Sequence, residues 1–356
     1  MPDRDDHRPS QRWECGSEFH WYEDATAGAQ DLSTPWNGAR FAATGRDSLR
    51  LLIEHGVRAH QWEEMWVPSY FCQEVLAALS SIIVLRVYED LPGSQSVAHL
   101  EAPTSGRSVL FVSNTFGLRE PGPYDEGWIA VIEDHTHDPW SDWARSSQAT
   151  YCVASLRKTL PVPDGAAYWS PKMNQLPSAT PASAERAAAV ADKLAAMLLK
   201  RWYLQGRAVE KNEYRECAVR GETNLPKGSP SRISDVSLAI LRAMPVDAWR
   251  ERRRSNWRVL SEHLEHLGLS VLQPDSEKCT PFSLICQFSD KVTRERVRAG
   301  LIQRGVYPAV LWPMDAEDWS SRSARALSER MLSIHCDMRY TARDMARVGE
   351  AVGIYI

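Results

Sequence analysis

The stretch from Ile129 to Gly165 reads IAVIEDHTHDPWSDWARSSQATYCVASLRKTLPVPDG. It opens with an apolar run, 129–132, that ends in two acids, of which the second is Asp134. A second short apolar run, 151–154, leads into a Ser-x-x-Lys that ends at Lys158. Short, β-branched runs of this kind are typical of strands that are buried on both faces of a parallel sheet.

The acid and the lysine each follow a predicted strand. Ligands of open α/β sheets bind at the carboxyl ends of the strands, so Asp134 and Lys158 are expected to meet there. Pyridoxal phosphate requires such a pair, because a lysine holds it as a Schiff base and an acid lies beside its pyridine nitrogen. The acid keeps that nitrogen protonated, since a nearby carboxylate favours the charged form. We therefore predict Lys158 as the catalytic lysine and Asp134 as the partner of the pyridine nitrogen.

The same stretch resembles the pyridoxal-phosphate sugar aminotransferases of the DegT–DnrJ–StrS family, within the aspartate aminotransferase (fold type I) superfamily. A strand of that family ends in Glu-Asp-Ala-Ala-Gln or Glu-Asp-Ala-Ala-His, and residues 133–137 here read Glu-Asp-His-Thr-His. The resemblance implies that Asp134 is the pyridinium partner and that His137 lies near the ring hydroxyl of the cofactor. His135 is expected to pack on or beside the cofactor, and Ser155, which opens the Ser-x-x-Lys, is taken as a further cofactor-binding residue.

The resemblance also implies an α/β fold. Its large domain would hold a mostly parallel seven-stranded sheet flanked by helices, followed by a smaller C-terminal α+β domain. We expect an N-terminal arm at 1–43, the large domain at 44–245 and the small domain at 246–356. An aromatic cluster at 19–22 of the arm is expected to dock on another surface, such as a second subunit. The C-terminal part reads strand, strand, helix, strand, helix, strand, helix, with Thr341 capping the last helix.

The composition is that of an ordinary globular protein. The chain has 356 residues, of which 43% are hydrophobic and 25% are charged. A net charge of −4 implies no general affinity for nucleic acid, and no segment approaches the roughly 20 apolar residues that span a bilayer. The polar N-terminus predicts no secretory signal. Seven scattered cysteines without a CxxC pair favour reduced thiols and a cytoplasmic location.

An anion site is predicted around residues 44–49, which read Thr-Gly-Arg-Asp-Ser-Leu. A helix is expected to begin at about Asp47, and free N–H groups at a helix N-terminus favour a phosphate. The family has Asn-Gly-Thr-x-Ala-Leu here, so the resemblance implies that Gly45, Arg46 and Asp47 bind the cofactor. Arg46 takes the place of the threonine, and an arginine can bind phosphate bidentately. A simple helix cap is the alternative.

Other candidates come from loops that follow predicted strands. Tyr70 and Phe71 are candidates for the aromatic ring that, in the family, stacks on the pyridine face, and core packing is the alternative for both. Asn114 either faces the substrate or is a turn residue. Arg157 is either a contact for a substrate anion or a surface charge. Trp312 ends a strand that is expected at 305–312 and is taken as a substrate contact.

Residues 230–235 are the basis for predicting that the protein forms a dimer. Residues 222–231 are expected to form a loop, and Pro-Ser-Arg-Ile-Ser-Asp at 230–235 stands where the family has Asn-Tyr-Arg-Met-Ser-Glu. In the family the asparagine of this segment reaches the phosphate in the other subunit. The resemblance therefore implies a homodimer with shared active sites. Because Pro230 replaces the asparagine, Arg232 and Arg46 are the candidates that complete the phosphate site.

The predicted reaction moves an amino group from an amino-acid donor, glutamate being expected, to a keto or aldehyde acceptor. The expected setting is sugar or natural-product biosynthesis, such as that of antibiotics or nucleosides. One alternative is another pyridoxal-phosphate reaction, although family members that are dehydratases replace the lysine by histidine. A second alternative is a cofactor-binding protein without turnover. A metal site at residues 134–138 is disfavoured because no further Cys or His cluster completes it, so no metal is expected.

Overall fold

A seven-stranded sheet forms the centre of the molecule. The computed structural model describes residues 12–22, 36, 38–93, 106–122, 130–315 and 318–356. The strand order is β2-β8-β7-β6-β5-β3-β4. In that order the strands are Arg40–Ala42, Ala166–Trp169, Tyr151–Ser155, Ala130–Asp134, Ser108–Ser113, Glu64–Pro68 and Val84–Tyr88.

The pairing within this sheet is mostly parallel. Strands β4, β3, β5, β6 and β7 run parallel to one another, while β8 and β2 are antiparallel at one edge. All residues of β5, β6 and β7 are buried, because helices cover both faces of a sheet of this kind. The predicted α/β class and the mostly parallel seven-stranded sheet are confirmed.

The helices of the first part of the chain lie on the two faces of this sheet. They are α1 Gly45–Ala59, α2 Gln73–Leu79, α3 Asp142–Ser146, α4 Ala184–Leu204, α5 Lys211–Asn224 and α6 Asp235–Leu241. One buried cluster includes Leu52 of α1 and Leu76 of α2 with alternate residues of the central strands, such as Ile132. A second cluster covers the opposite face and includes Val131 and Trp143. Successive residues of β6 therefore face different layers of the molecule.

A smaller unit follows at the C-terminus. Its three-stranded antiparallel sheet has the order β12-β10-β9. The remaining elements are α7 Val246–His266, β9 Ser270–Val271, β10 Leu284–Gln287, α8 Lys291–Gln303, β11 Val306–Tyr307, α9 Arg322–Arg330, β12 Met331–Ile334 and α10 Ala342–Gly353. Thr341 caps α10 as expected, since its Oγ1 accepts a hydrogen bond from the Asp344 N–H. From β9 to α10, the predicted order of strands and helices is confirmed.

The described pieces of the predicted arm pair with strands of both units, in the seven-stranded sheet and in a separate two-stranded sheet. The short strand β1, Cys15–Gly16, pairs in parallel with β11 of the small unit, and β2 pairs with β8 of the large sheet. The aromatic cluster at 19–22 packs on the same chain, because Phe19 lies 4.4 Å from the Arg339 guanidinium and Tyr22 contacts Trp249 edge-on. The domain boundaries themselves stay predictions.

Helix α5 was not expected, and residues 222–224 of the predicted loop belong to it. Its buried residues Tyr214, Ala218 and Gly221 include two small side chains, so the apolar periodicity is weak. Gly221 allows close contact with α4, because a Cβ atom there would lie 2.6 Å from Cγ of Lys193. The strand expected at 305–312 is also wrong beyond β11, since its second half is irregular. Within the described residues, no helix combines the length and apolarity needed to cross a membrane.

Candidate active site

A cavity of about 730 Å³ opens at the carboxyl ends of β6 and β7. Nine of the predicted site residues line it, namely Gly45, Arg46, Phe71, Asp134, His137, Ser155, Arg157, Lys158 and Trp312. They come from the start of α1, the loop before α2, the ends of β6 and β7, and the irregular segment after β11. Residues far apart in the chain therefore meet where the parallel sheet predicts a ligand site.

The ends of β6 and β7 are tied together by Thr136. Its N–H donates to Oδ1 of Asp134 at 2.8 Å, and its Oγ1 accepts a 2.9 Å hydrogen bond from the Ser155 N–H. Asp134 is buried, and this burial raises the pKa of its carboxyl group, while the Thr136 hydrogen bonds oppose the shift. A neighbouring cation would bring the pKa down again. The carboxylate is thus placed to pair with a positively charged group in the cavity.

Lys158 ends a single 3-10 turn, Leu156–Lys158, that follows β7 directly. Its side chain is exposed to the cavity, and among the described residues its amine has no hydrogen-bond or ion-pair partner. The surrounding protein lowers the pKa of Lys158 by desolvation, and the charge of Arg157 lowers it further. A lowered pKa increases the fraction of neutral amine, which is the form that attacks a carbonyl.

His137 lies in a stack of aromatic rings. Its ring is stacked with Phe116 at a centroid distance of 5.6 Å and with Trp312 at 5.9 Å. Burial, together with the charge of Lys158, lowers the pKa of His137 to about 3, so the ring is neutral near pH 7. The Phe116 N–H donates to Nδ1 at 2.9 Å, which leaves the proton of the neutral ring on Nε2. His137 is therefore a hydrogen-bond donor through Nε2.

The N-terminus of α1 forms another wall of the cavity. The helix begins at Gly45, two residues before the predicted start, and Thr44 is its N-cap. Thr44 Oγ1 accepts from the Asp47 N–H at 3.0 Å. The N–H groups of Gly45 and Arg46 lie at the helix start, where no intrahelical acceptor is available. A Cβ atom at Gly45 would lie 3.0 Å from Cβ of Ser155, so glycine allows the helix to approach the end of β7. Arg46 forms a 3.1 Å ion pair with Glu74, which also lines the cavity.

Arg157 is partly buried and doubly hydrogen-bonded. Its two terminal nitrogens donate to the two carboxylate oxygens of Glu222, each at 2.7 Å. Glu222 lies near the end of α5 and also accepts a 3.1 Å hydrogen bond from Lys193. Arg157 is thus not a free surface charge, and both its side chain and that of Glu222 line the cavity.

His135 lies outside the cavity, on the opposite side of the strand end from Asp134. Its ring is fully buried between Trp143 and Trp169, and Nε2 lies 2.8 Å from Oε2 of Glu133. The expectation that it packs beside a cofactor is therefore withdrawn, because neighbouring residues at a strand end point to opposite faces. His137 does line the cavity, because the chain turns at 136–137 after the end of β6, so the two histidines considered as metal ligands lie apart. Donor atoms of Glu133, His135 and Cys152 do lie within 4.8 Å of one another in this second layer.

Tyr70, Asn114 and Arg232 also lie outside the cavity. Tyr70 is buried, and its hydroxyl group donates to the Leu311 carbonyl oxygen, so it supports the cavity wall rather than facing it. Asn114 is buried and accepts the Arg119 N–H through Oδ1, which agrees with its alternative as a turn residue. Arg232 is exposed on the surface of the chain.

Asp47 is the remaining predicted residue outside the cavity. Its carboxylate forms a buried 2.6 Å ion pair with Arg186 of α4, and each side chain is 2% exposed. The placement of Asp47 in the cofactor site is therefore corrected to a tie between α1 and α4.

We expect Asp47→Ala to lower the free energy of unfolding by about 3 kcal/mol, because Arg186 would stay buried without its carboxylate. Urea unfolding followed by circular dichroism measures this loss. Asp142→Ala, which removes an exposed acid from the first turn of α3, is the control and should cost less than about 1 kcal/mol. If Asp47→Ala instead weakens cofactor binding at unchanged stability, the assignment to the cofactor site would return.

Several cavity residues were not expected from the sequence. They come from three places, the N-cap of α1, the start of α2 and the end of α5: Thr44, Cys72, Gln73, Glu74, Glu222, Thr223 and Pro226. The residues at the end of α5 have no signal in the sequence, because the weak apolar periodicity does not predict this helix. The residues at the start of α2 directly follow Phe71, so their position next to this predicted site residue is the sequence signal that points to them.

No family model and no curated protein matches the sequence. Solved structures share the fold at low identity. A Streptococcus pneumoniae protein assigned as a sugar aminotransferase, in its PLP form, matches with a TM-score of 0.63 at 9% identity, covering 96% of this chain and 98% of that one. NtdA from Bacillus subtilis with bound PMP matches with a TM-score of 0.59 at 12% identity, covering 95% and 78%.

A third similar structure belongs to the family that the sequence resembles. A DegT–DnrJ–EryC1–StrS aminotransferase from Brucella abortus matches with a TM-score of 0.58 at 14% identity, covering 88% of this chain and 84% of that one. At these identities the likeness establishes the fold. It confirms the expected architecture of a large sheet domain with a smaller C-terminal unit.

Proposed function

We propose that this protein is a pyridoxal-phosphate-dependent aminotransferase of the DegT–DnrJ–EryC1–StrS type. The observation that carries the proposal is the pairing of Lys158 and Asp134 in one cavity. An unpaired amine with a lowered pKa follows β7, and a buried carboxylate ends the adjacent strand β6. The similar folds of proteins described in PLP and PMP forms support the choice of cofactor.

The residues of the cavity fit pyridoxal phosphate at each of its functional groups. Lys158 would bind the aldehyde carbon covalently, and Asp134 would pair with the ring nitrogen and keep it protonated. The Nε2–H of His137 would donate to the ring hydroxyl group, and Phe71, on the cavity wall, would pack on the ring face. When bound, the cofactor supplies an electron sink for the substrate carbon. The Lys158 amine would also act as the base that moves a proton between the reacting carbon of the substrate and the aldehyde carbon of the cofactor.

The N-terminus of α1 would hold the phosphate group. The free N–H groups after Thr44 and the positive end of the helix dipole favour an anion there. Gly45 leaves room for close approach, and the Ser155 side chain lies beside it. Arg46 lines the same wall, where its guanidinium pairs with the exposed carboxylate of Glu74. An exposed ion pair contributes little, so a phosphate can draw Arg46 away from Glu74 at small cost.

We expect Arg46→Ala to weaken cofactor binding about tenfold, because one charge-assisted hydrogen bond to the phosphate would be lost. Arg232→Ala should have a smaller effect, since Arg232 can contribute only from a second subunit. Fluorescence titration with pyridoxal phosphate measures both, and Glu74→Ala serves as the control for loss of the ion pair alone. Unaltered affinity in both arginine variants would remove this account of the phosphate site.

A spectrum of the purified protein tests the function. Added pyridoxal phosphate should produce a visible absorption band, glutamate should bleach it, and a keto-sugar or another keto or aldehyde acceptor should restore it. A band that survives glutamate and every other amino acid would favour a protein that binds the cofactor without turnover. Bleaching with release of the amino group as ammonia would favour a lyase or dehydratase. One structure with a similar fold is described as a sugar aminotransferase, so keto-sugars are the first acceptors to screen.

We also propose a homodimer in the cytoplasm. Arg232 is exposed, and residues 230–235 follow the pattern of the element that crosses between subunits in the family. Light scattering tests the assembly. A stable monomer with full cofactor affinity would contradict it. All seven cysteines are free thiols, which supports a reducing compartment.

A further inference from the structure

A chain of alternating charges leads from the N-terminal segment to the cavity. Glu18 accepts a 2.7 Å hydrogen bond from Lys193 of α4, Lys193 also donates to Glu222 of α5 at 3.1 Å, and Glu222 binds Arg157 bidentately. Two cations and two anions make this chain neutral as a whole. Its last member, Arg157, directly precedes Lys158 in the same short turn.

This chain of charges holds the Arg157 guanidinium in one position. A bidentate arginine–carboxylate pair is the most directional ion pair that side chains form. Glu222 is itself fixed by Lys193, whose side chain is only 6% exposed. The hydrogen bonds and charge of Arg157, with the charge of Lys193, hold the pKa of Glu222 well below its ordinary value despite burial. Glu222 is therefore always ionised when Lys158 reacts.

We propose that Glu222 and Arg157 form a positioning pair that sets the charge state of the Lys158 amine. The inference rests on the proposed function of Lys158 as the cofactor lysine. Arg157 directly precedes Lys158 in the same turn and carries a positive charge, and Glu222 holds that guanidinium through two hydrogen bonds and carries a negative charge. Both side chains line the cavity that holds the amine. The two charges act on Lys158 with opposite signs, and the nearer one dominates.

Other charged groups also face the amine. They are Cys72 before α2, Glu18 in the N-terminal segment, the Arg46–Glu74 pair, Asp134 and His137. Cys72 is a neutral thiol because burial raises its pKa, and Arg46 and Glu74 cancel each other. His137 is neutral near pH 7. Glu18 also favours the charged amine, but its carboxylate is paired with Lys193. Asp134 lines the same cavity, so the variants below change only Arg157 and Glu222 and leave these other groups in place.

The test measures the amine in the full-length protein after removal of any bound cofactor. Lys158 is acylated with acetic anhydride at a series of pH values, and mass spectrometry gives its rate relative to the exposed Lys172 of the same molecule. Because only the neutral amine reacts, the midpoint of the rate profile reports the protonation of Lys158. The readout contains no cofactor, so it stays independent of the absorption band that tests the function.

Opposite shifts are expected in the two variants. Arg157→Gln should raise the midpoint by about one pH unit, and Glu222→Gln should lower it by a smaller amount, because the charge of Arg157 has the larger effect on the amine. The double variant should return close to the wild type, and Arg157→Lys, which keeps the charge, should lie nearer to the wild type than Arg157→Gln. Glu216→Gln, on the exposed face of α5, is the matched control and should leave the midpoint unchanged.

A merely structural tie would give a different result. If the pair only stiffened the turn, both single variants would loosen it and change the Lys158 profile in the same direction. The proposal is overturned if the midpoints of the two single variants shift in the same direction, or if neither midpoint shifts. Far-ultraviolet circular dichroism confirms that each variant is folded before labelling.

Discussion

Replacing Lys158 by alanine is expected to abolish both the visible absorption band with pyridoxal phosphate and all turnover. The amine of Lys158 lines the cavity without a partner among the described residues, and desolvation by the surrounding protein and the charge of Arg157 lower its pKa. An amine in this state is the group that can bind an aldehyde covalently. Absorbance measures the band, and a coupled assay of glutamate consumption measures the turnover.

The control for this variant is Lys172→Ala, which removes an exposed lysine and should leave the band intact. Borohydride reduction followed by peptide mass spectrometry identifies the modified lysine in the wild type. If the visible band persists in Lys158→Ala, or if the reduced adduct lies on another lysine, then the assigned cofactor lysine is wrong. Folding is not expected to suffer, because the Lys158 side chain is exposed and makes no hydrogen bond or ion pair with the described residues.

Asp134→Asn is expected to keep much of the cofactor affinity but to lower the rate by about three orders of magnitude. That loss corresponds to about 4 kcal/mol of transition-state stabilisation. The carboxylate at the end of β6 would keep the ring nitrogen protonated, and an amide cannot do so. Thr136 holds the carboxylate in place through its 2.8 Å hydrogen bond to Oδ1. Single-turnover kinetics with glutamate separates this chemical step from cofactor binding.

The stability of Asp134→Asn provides its internal control. Burial disfavours the charged carboxylate, as the raised pKa of Asp134 shows, so a neutral side chain of the same shape should not lower the unfolding midpoint. A slow but fully stable variant would assign the loss to chemistry. A rate close to that of the wild type would remove Asp134 from the mechanism.

The local sequence predicted the central strands well because buried parallel strands have a strong local signature. The apolar runs at 129–132 and 151–154 correspond to β6 and β7, which are buried along their whole length. Helix α1 begins two residues before its predicted start. Ends of elements depend on caps and pairing partners, so they carry a weaker signal than the centre of a strand.

Three residues that were predicted to bind the cofactor are next to cavity residues in the sequence but lie outside the cavity in the structure. His135 follows Asp134 and faces the opposite layer, Asp47 follows Arg46 and pairs with Arg186, and Tyr70 precedes Phe71 but supports the wall from behind. In each case adjacent residues point in different directions from a strand, a helix or a turn. A sequence motif of consecutive residues therefore includes some side chains that point away from the site.

The sequence by itself determined the α/β class, the order of strands and helices from β9 to α10, and the placement of an acid and a lysine at two strand ends. These follow from hydrophobic periodicity and from short motifs, which are local properties. Only the tertiary structure decided that Glu222 of α5 binds Arg157, that His137 stacks with Phe116 and Trp312, and that His135 leaves the cavity. Such contacts join residues up to 175 positions apart, as Glu18 and Lys193 show, and no local pattern encodes which distant side chain completes them.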